Sequence, residues 1–328
     1  MELKWRFEES DCSIALWRKG ICGNTATIYF EEVDFEREYS NVGWREAFEQ
    51  QKPFYFAFKM DGDLKKRPVR RKWDEFAVTD CESYQEKLKA MEAMGECIAG
   101  IAHVEYSLHY TGIPNFDIFD SFVFKTTTSF SSVLIAKWGF GDIRTFTEEQ
   151  LRFILEQLEI EELELNCPLE NGGKLKNLRL GQKYLTLQEC EWLEPRELLN
   201  CTRLEYIVAD FFTSDMSPLL RIVEAWQRGT HFQSLERVSV NAAKWPNWTE
   251  LRIQEDGTLA LVRATFRDFP TFSGTIKRFS DGKLANVNVF LKEEFQGGWF
   301  QEVIGFFGFA VEESESSDDD SSSDSSDE

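Results

Sequence analysis

Residues 147–165 read TEEQLRFILEQLEIEELEL, and two hydrophobic periods meet inside them. Leu151, Ile154, Leu155 and Leu158 recur at the spacing of one helix face, behind a capping box that Thr147 and Gln150 can form. Leu163 and Leu165 then alternate with glutamates, the two-residue period of a strand with one face inward. Downstream the alternation repeats. Leu178–Leu180 reads as a second strand, Pro195 opens a short helix over Arg196–Leu199, and Leu204–Val208 reads as a third strand. Ser217 as cap, Pro218 at the first helical position and Leu219, Ile222, Val223 and Trp226 on one face predict a helix closed by Gly229, before a strand at Leu235–Val240. The four strands start 15, 26 and 31 residues apart, so the expectation is an irregular helix–strand stack, like a degenerate leucine-rich array.

On either side of this stack the two-residue period dominates. Leu3, Trp5 and Phe7, then Phe54, Phe56, Phe58 and Met60, place apolar side chains on one face of strands, with Ser13–Trp17 and Thr25–Val33 as a hairpin around Gly20–Gly23. A helix capped by Asp80 carries Tyr84, Leu88, Met91 and Ile98 on one side. In the strand after it, Val104, Tyr106, Leu108 and Tyr110 alternate with His103, Glu105, Ser107 and His109. Towards the C-terminus, Thr258–Phe266 is a strand, and Gly274–Phe279 and Lys283–Leu291 form a hairpin turning at Ser280-Asp281-Gly282. The fold class read from this is α+β: a β-rich region with one helix over 1–110, the helix–strand stack over 111–250, β-hairpins over 251–311, and a disordered acidic tail over 312–328.

Charge and composition remove whole classes of function. Of 328 residues, 37 are Lys or Arg and 58 Asp or Glu, a net charge of −21, and 312–328 (EESESSDDDSSSDSSDE) holds nine of the acids and no base. A negative field of that size repels phosphate backbones, and no basic stripe interleaved with aromatics occurs, so no nucleic-acid partner is expected. No apolar run reaches about 18 residues and the start MELKWRFEES is neither basic nor apolar, so neither a membrane span nor a secretion signal is expected. Seven widely spaced cysteines, with no two-residue spacing, point to reduced thiols and a cytoplasmic or nuclear setting. Two glycosylation sequons, at Asn200 and Asn247, then read as chance matches.

Motifs for chemistry are sparse. His103, Glu105 and His109 point the same way, but His109 stands four residues beyond Glu105, about 13 Å at strand rise, too far to share an ion. His231 has no catalytic motif around it, and no nucleophile elbow, phosphate loop or dinucleotide glycine pattern occurs. No catalytic, metal or cofactor residue is therefore assigned, and no cofactor is expected. The alternative is an enzyme on an unrecognised fold, with His103, His109 or His231 as general base. Six basic residues, Lys65, Lys66, Arg67, Arg70, Arg71 and Lys72, broken by Pro68, could serve nuclear import; the plainer reading is a solvated loop between strand and helix. In the tail, Ser316, Ser317, Ser321 and Ser325 each precede an acidic residue by three positions, the pattern of acidophilic kinase sites.

Five landmarks together carry a family resemblance: Trp192-Leu193-Glu194-Pro195-Arg196-Glu197-Leu198-Leu199-Asn200-Cys201, then Leu204-Glu205, then Leu219-Leu220 with Trp226 and Gly229, then Leu235-Glu236-Arg237-Val238. In order and spacing they resemble the type 2 F-box-associated domain of the large nematode F-box protein family. Glu86–Gly100 before His103–Tyr110, and Ile276-Lys277-Arg278 with Asp281-Gly282-Lys283, are similar to its flanking elements, so the resemblance spans roughly 1–295. It implies a non-enzymatic recognition module, the substrate-binding part of a cullin-type ubiquitin ligase receptor. Members of the family begin with an F-box that docks a Skp-type adaptor, whereas this sequence opens on period-2 strands. An adaptor contact is thus expected only where an F-box is supplied upstream, and the target protein is unnamed by the sequence. The exposed residues around the Ser217 helix and the next strand, Arg221, Glu224, Arg237 and Ser239, are the candidate contact surface.

Overall fold

The structure, a computed structural model, describes residues 1–7, 12–17, 26–30, 54–72, 75–78, 81–111, 117–136, 145–188, 190–201, 203–211, 217–242, 249–263, 272–296 and 300–312. Its class is α+β. Alternation builds the first strand, β1 (Glu2–Phe7), where Leu3, Trp5 and Phe7 are buried and Glu2, Lys4 and Arg6 take the other face. β2 (Cys12–Trp17) and β3 (Ala26–Phe30) pair antiparallel beside it; the Gly20–Gly23 turn lies outside the described residues.

β4 (Phe54–Met60) and β5 (Asp63–Lys72) form the next hairpin, and β6 (Glu75–Val78) joins β5 to β3. The basic run is therefore a strand, not the solvated loop read from its composition. Pro68 sits opposite Tyr55, one residue short of the β6 ladder that begins at Val69, where losing an N–H is tolerated. Helix α1 (Tyr84–Ile101) follows, capped by Ser83, whose Oγ accepts from the Glu86 amide at 3.2 Å; Asp80 lies outside the described residues.

From β7 (Glu105–Tyr110) the chain adds parallel strands in order: β8 (Ser129–Ile135), β9 (Glu159–Asn166), β10 (Tyr184–Gln188), β11 (Tyr206–Phe211) and β12 (Arg237–Ala242), each beside its predecessor. Short helices fill the crossovers: α2 (Val123–Thr126), α3 (Glu148–Arg152) continuing as a π turn over Phe153–Gln157, a 3-10 turn over Pro195–Asn200, and α4 (Ser217–Arg228). The expected capping box is present, with Gln150 N donating to Thr147 Oγ1 at 3.2 Å and Thr147 N to Gln150 Oε1 at 3.0 Å. Leu178–Leu180 is not a strand. Leu178 and Leu180 are buried in the crossover between β9 and β10, and the ladder forms instead at Tyr184–Gln188, where aromatic and β-branched residues favour a pleated chain.

One spacing recurs along this parallel run. Phe130, Val133 and Ile135; Ile160, Leu163 and Leu165; Leu204, Ile207 and Ala209; and Leu235, Val238 and Val240 are all buried at positions i, i+3 and i+5, and Gln182 takes the leading place before Leu185 and Leu187. Where leucine would stand, Gln182 donates from Nε2 to the Leu155 carbonyl at 3.1 Å. Cysteines close the turns beyond the strands: Cys190 Sγ donates to the Gln188 carbonyl at 3.1 Å and Cys201 Sγ to the Gln182 carbonyl at 3.5 Å, while Trp192 Nε1 donates to the Cys167 carbonyl at 2.8 Å. All six described cysteines are free thiols.

β13 (Thr249–Ile253) and β14 (Leu259–Arg263) form a separate two-stranded ribbon, tied to α4 by Gln227 Nε2 donating to the Gly257 carbonyl at 2.7 Å. β15 (Phe272–Lys277) and β16 (Leu284–Gln296) make the expected hairpin, with Arg278 clamping Asp281 in the turn. β17 (Phe300–Val311) lies between β16 and β12, antiparallel to both. Among the described residues a fifteen-stranded sheet results, ordered β15-β16-β17-β12-β11-β10-β9-β8-β7-β1-β2-β3-β6-β5-β4. The acidic tail with Ser316, Ser317, Ser321 and Ser325 lies outside the described residues. No described helix is long and apolar enough to cross a membrane.

Candidate functional site

Because strand side chains alternate, every leucine turned into the core leaves a neighbour on the opposite sheet face. Register aligns those neighbours into two rows. One runs Lys4, Ser107, Ser132, Glu162, Tyr184, Tyr206, Arg237 across β1, β7, β8, β9, β10, β11 and β12. The second runs Arg6, His109, Leu134, Glu164, Thr186, Val208, Ser239 one step further along the strands. Val208 is 39% exposed in the middle of its strand, and Glu162 and Arg237 of the neighbouring row are exposed as well. An apolar side chain held open to solvent at the centre of a sheet marks the β11 part of this face as one that the described residues leave uncovered.

The face is electrically divided. At its β1 end Lys4 and Arg6 flank His109; burial first, then these two cations, push the imidazole down to about 4, so it is neutral at pH 7. Lys4 is itself lowered, by burial and by Arg6. On β9, burial and Glu162 hold the Glu164 carboxyl above its ordinary range. Two strands on, the rings of Tyr184 and Tyr206 lie 5.3 Å apart at 31°. Tyr184 bonds Glu205 and faces Glu161 and Glu236; hydrogen bonding to Glu205 first, then burial, then that negative surround raise its phenol to about 12. Glu161 is neutralised by Lys183 Nζ at 2.7 Å.

Between the charged ends sits a serine cluster. Ser107 is fully buried although its alternation placed it with the exposed residues: its short side chain lies beneath longer neighbours, donates to Glu2, and shares bonds with Ser131 at 2.7 Å and Ser132 at 3.2 Å.

The candidate contact residues do not form one surface. Arg221 and Glu224 occupy the side of α4 turned away from the buried Leu219, Ile222, Val223 and Trp226, whereas Arg237 and Ser239 lie on the open sheet face, opposite the buried Val238 and Val240. Of the basic run, Arg67 is taken up by Glu86 at 2.6 Å and Glu82 at 2.9 Å, Lys65 lies 4.0 Å from Glu82, and Lys66 is exposed; the side chains of Arg70, Arg71 and Lys72 lie outside the described ones. His103, between α1 and β7, and His231, just beyond α4, are both exposed. Among the described residues no three His, Cys, Asp or Glu side chains gather as a metal site.

Reading single elements missed Lys4, Glu162, Glu164, Tyr184, Tyr206, Thr186 and Val208. The signal was available in part: these are the residues alternating with the buried leucines, but only strand register shows which of them share a row. Neither a protein-family model, nor a curated protein, nor a solved structure matches the chain.

Proposed function

We propose that this chain is a non-enzymatic protein-recognition module that binds a target through the open face of its parallel strands. The observation that carries the reading is the pair of in-register rows with Val208 exposed at their centre, a polar and aromatic surface mounted on a rigid sheet. Such a surface suits a folded protein partner, because the rows offer tyrosine, threonine, serine and arginine side chains over several strands. The resemblance to F-box-associated domains supports the same class of function, a receptor for substrates of a cullin-type ubiquitin ligase acting in cytoplasm or nucleus. A Skp-type adaptor then joins only through an F-box supplied upstream.

Affinity capture from the native source tests this with two tagged forms, unaltered and Val208→Arg. Because Val208 is already exposed, the substitution leaves the fold intact, read as an unchanged melting temperature. Specific partners present with the unaltered form and lost with Val208→Arg carry the proposal; an identical partner set for both forms overturns it. A third form with an F-box fused upstream should add the adaptor and cullin while keeping the same targets.

A further inference from the structure

The open face is most distinctive where β9, β10 and β11 meet. In register across those strands stand Glu162, Tyr184 and Tyr206, with Glu164 one step along on β9 and Glu205 and Glu236 at the ends of β11 and β12. Glu161 has its counter-ion in Lys183; of the four other carboxylates around the two tyrosine rings, Glu162 and Glu164 feel Lys4 from the β1 side and Glu205 accepts from Tyr184, while Arg237 stands at the β12 border, so four acids face two cations. Like charges at this density repel one another, a cost that a cation from outside relieves. Paired tyrosine faces add the quadrupole that draws an ammonium or guanidinium group to within about 6 Å of a ring. Outside the patch, a net charge of −21 steers cationic partners towards the molecule and holds off anionic ones.

We infer that this acidic and aromatic patch receives lysine or arginine side chains from a basic segment of the protein partner. The inference rests on the open sheet face being the recognition surface, and adds the chemical class of what it recognises. Arginine suits the site best, since its planar fork can stack on Tyr206 while its N–H groups donate to Glu162 or Glu205.

A fluorescein-labelled octapeptide of alternating glycine and arginine is the probe, with its neutral citrulline counterpart as control and anisotropy on the full chain as the readout. The unaltered chain should bind the arginine peptide in low salt, release it as salt rises, and ignore the citrulline peptide. Glu162→Gln with Glu164→Gln, an isosteric neutral pair that leaves the fold alone, should weaken binding by about fivefold or more, and Tyr206→Leu should do likewise. Neutralising Asp318, Asp319 and Asp320 of the tail to asparagine should change it less than twofold. Equal affinity for the native and double-glutamine chains, or loss only in the tail variant, overturns the inference. If Val208→Arg strips the captured partners while the arginine peptide never binds, the recognition surface stands and the basic class of partner falls.

Discussion

Trp226 is fully buried, edge-on to Phe309 at 5.0 Å and beneath the Arg278 guanidinium at 5.2 Å, so one indole joins α4, β17 and the β15–β16 turn. Truncating it to alanine should cost about 3–5 kcal/mol in folding, read by denaturant melts; a loss below about 1 would place the residue at the surface. Three residues on, Gly229 closes α4 with φ 69°, and a Cβ there would meet Ser280 Oγ at 2.6 Å. Gly229→Ala therefore meets both a left-handed backbone and a collision, and should destabilise by about 1–3 kcal/mol. Cys201 makes a pH prediction. Burial pushes its thiol up to about 11 from 9.0, so the unfolded chain ionises first; the stability this thiol contributes is complete below pH 9 and is lost as pH rises towards 11. Cys201→Ala should flatten the alkaline fall in melting temperature over that window, and an unchanged slope would show that the thiol is not the titrating group. These roles were only partly legible in the sequence: periodicity put Trp226 inside, but nothing local to Cys201 announces that its partner is the Gln182 carbonyl of the previous turn.

Among the elements, α1 is held to β5 through charge. Glu86, only 2% exposed on the helix, accepts from Arg67 Nε at 2.7 Å and from the Glu82 amide at 2.7 Å. Removing Arg67 leaves that carboxylate buried beside one amide, so Arg67→Ala should cost about 3–5 kcal/mol, whereas Lys66→Ala on the same strand should be nearly silent in the same melt. Reading the run as a loop went astray because composition describes solvation and not pairing: Pro68 and six cations argue against a strand locally, and the ladder to β4 overrides them. The displaced strand at Leu178–Leu180 failed for a related reason. Three residues with two leucines satisfy a period of two in either conformation, and the longer Tyr184–Gln188 run was the better strand former. By contrast the Thr147 box, α4 and the β15–β16 hairpin were legible because cap, glycine and turn residues are short-range signals.

For the molecule as a whole, β17 decides how the parts respond together. Its apolar run was visible in the sequence, yet nothing there tells that it inserts between β16 and β12, because that choice depends on two partners far away in the chain. With this strand in place, the C-terminal hairpin shares a sheet with the parallel run, so calorimetry should show one cooperative transition that Trp226→Ala and Leu163→Ala lower together; two separated endotherms would mean independent units. The open face was the least legible feature, since a row is a property of registers and not of any segment. The sheet also sets an order of events during synthesis. β1 pairs in parallel with β7, whose partner residues lie about 100 positions later, while β8 to β12 each dock on the strand made just before. At about 5–20 residues per second the ribosome releases β1 roughly 5–20 s ahead of the strand it needs on that side. Over that interval β1 can pair with β2 and Trp5 can pack on α1 at Gly95, but the edge of β1 that β7 will take stays open until residue 110 has been made.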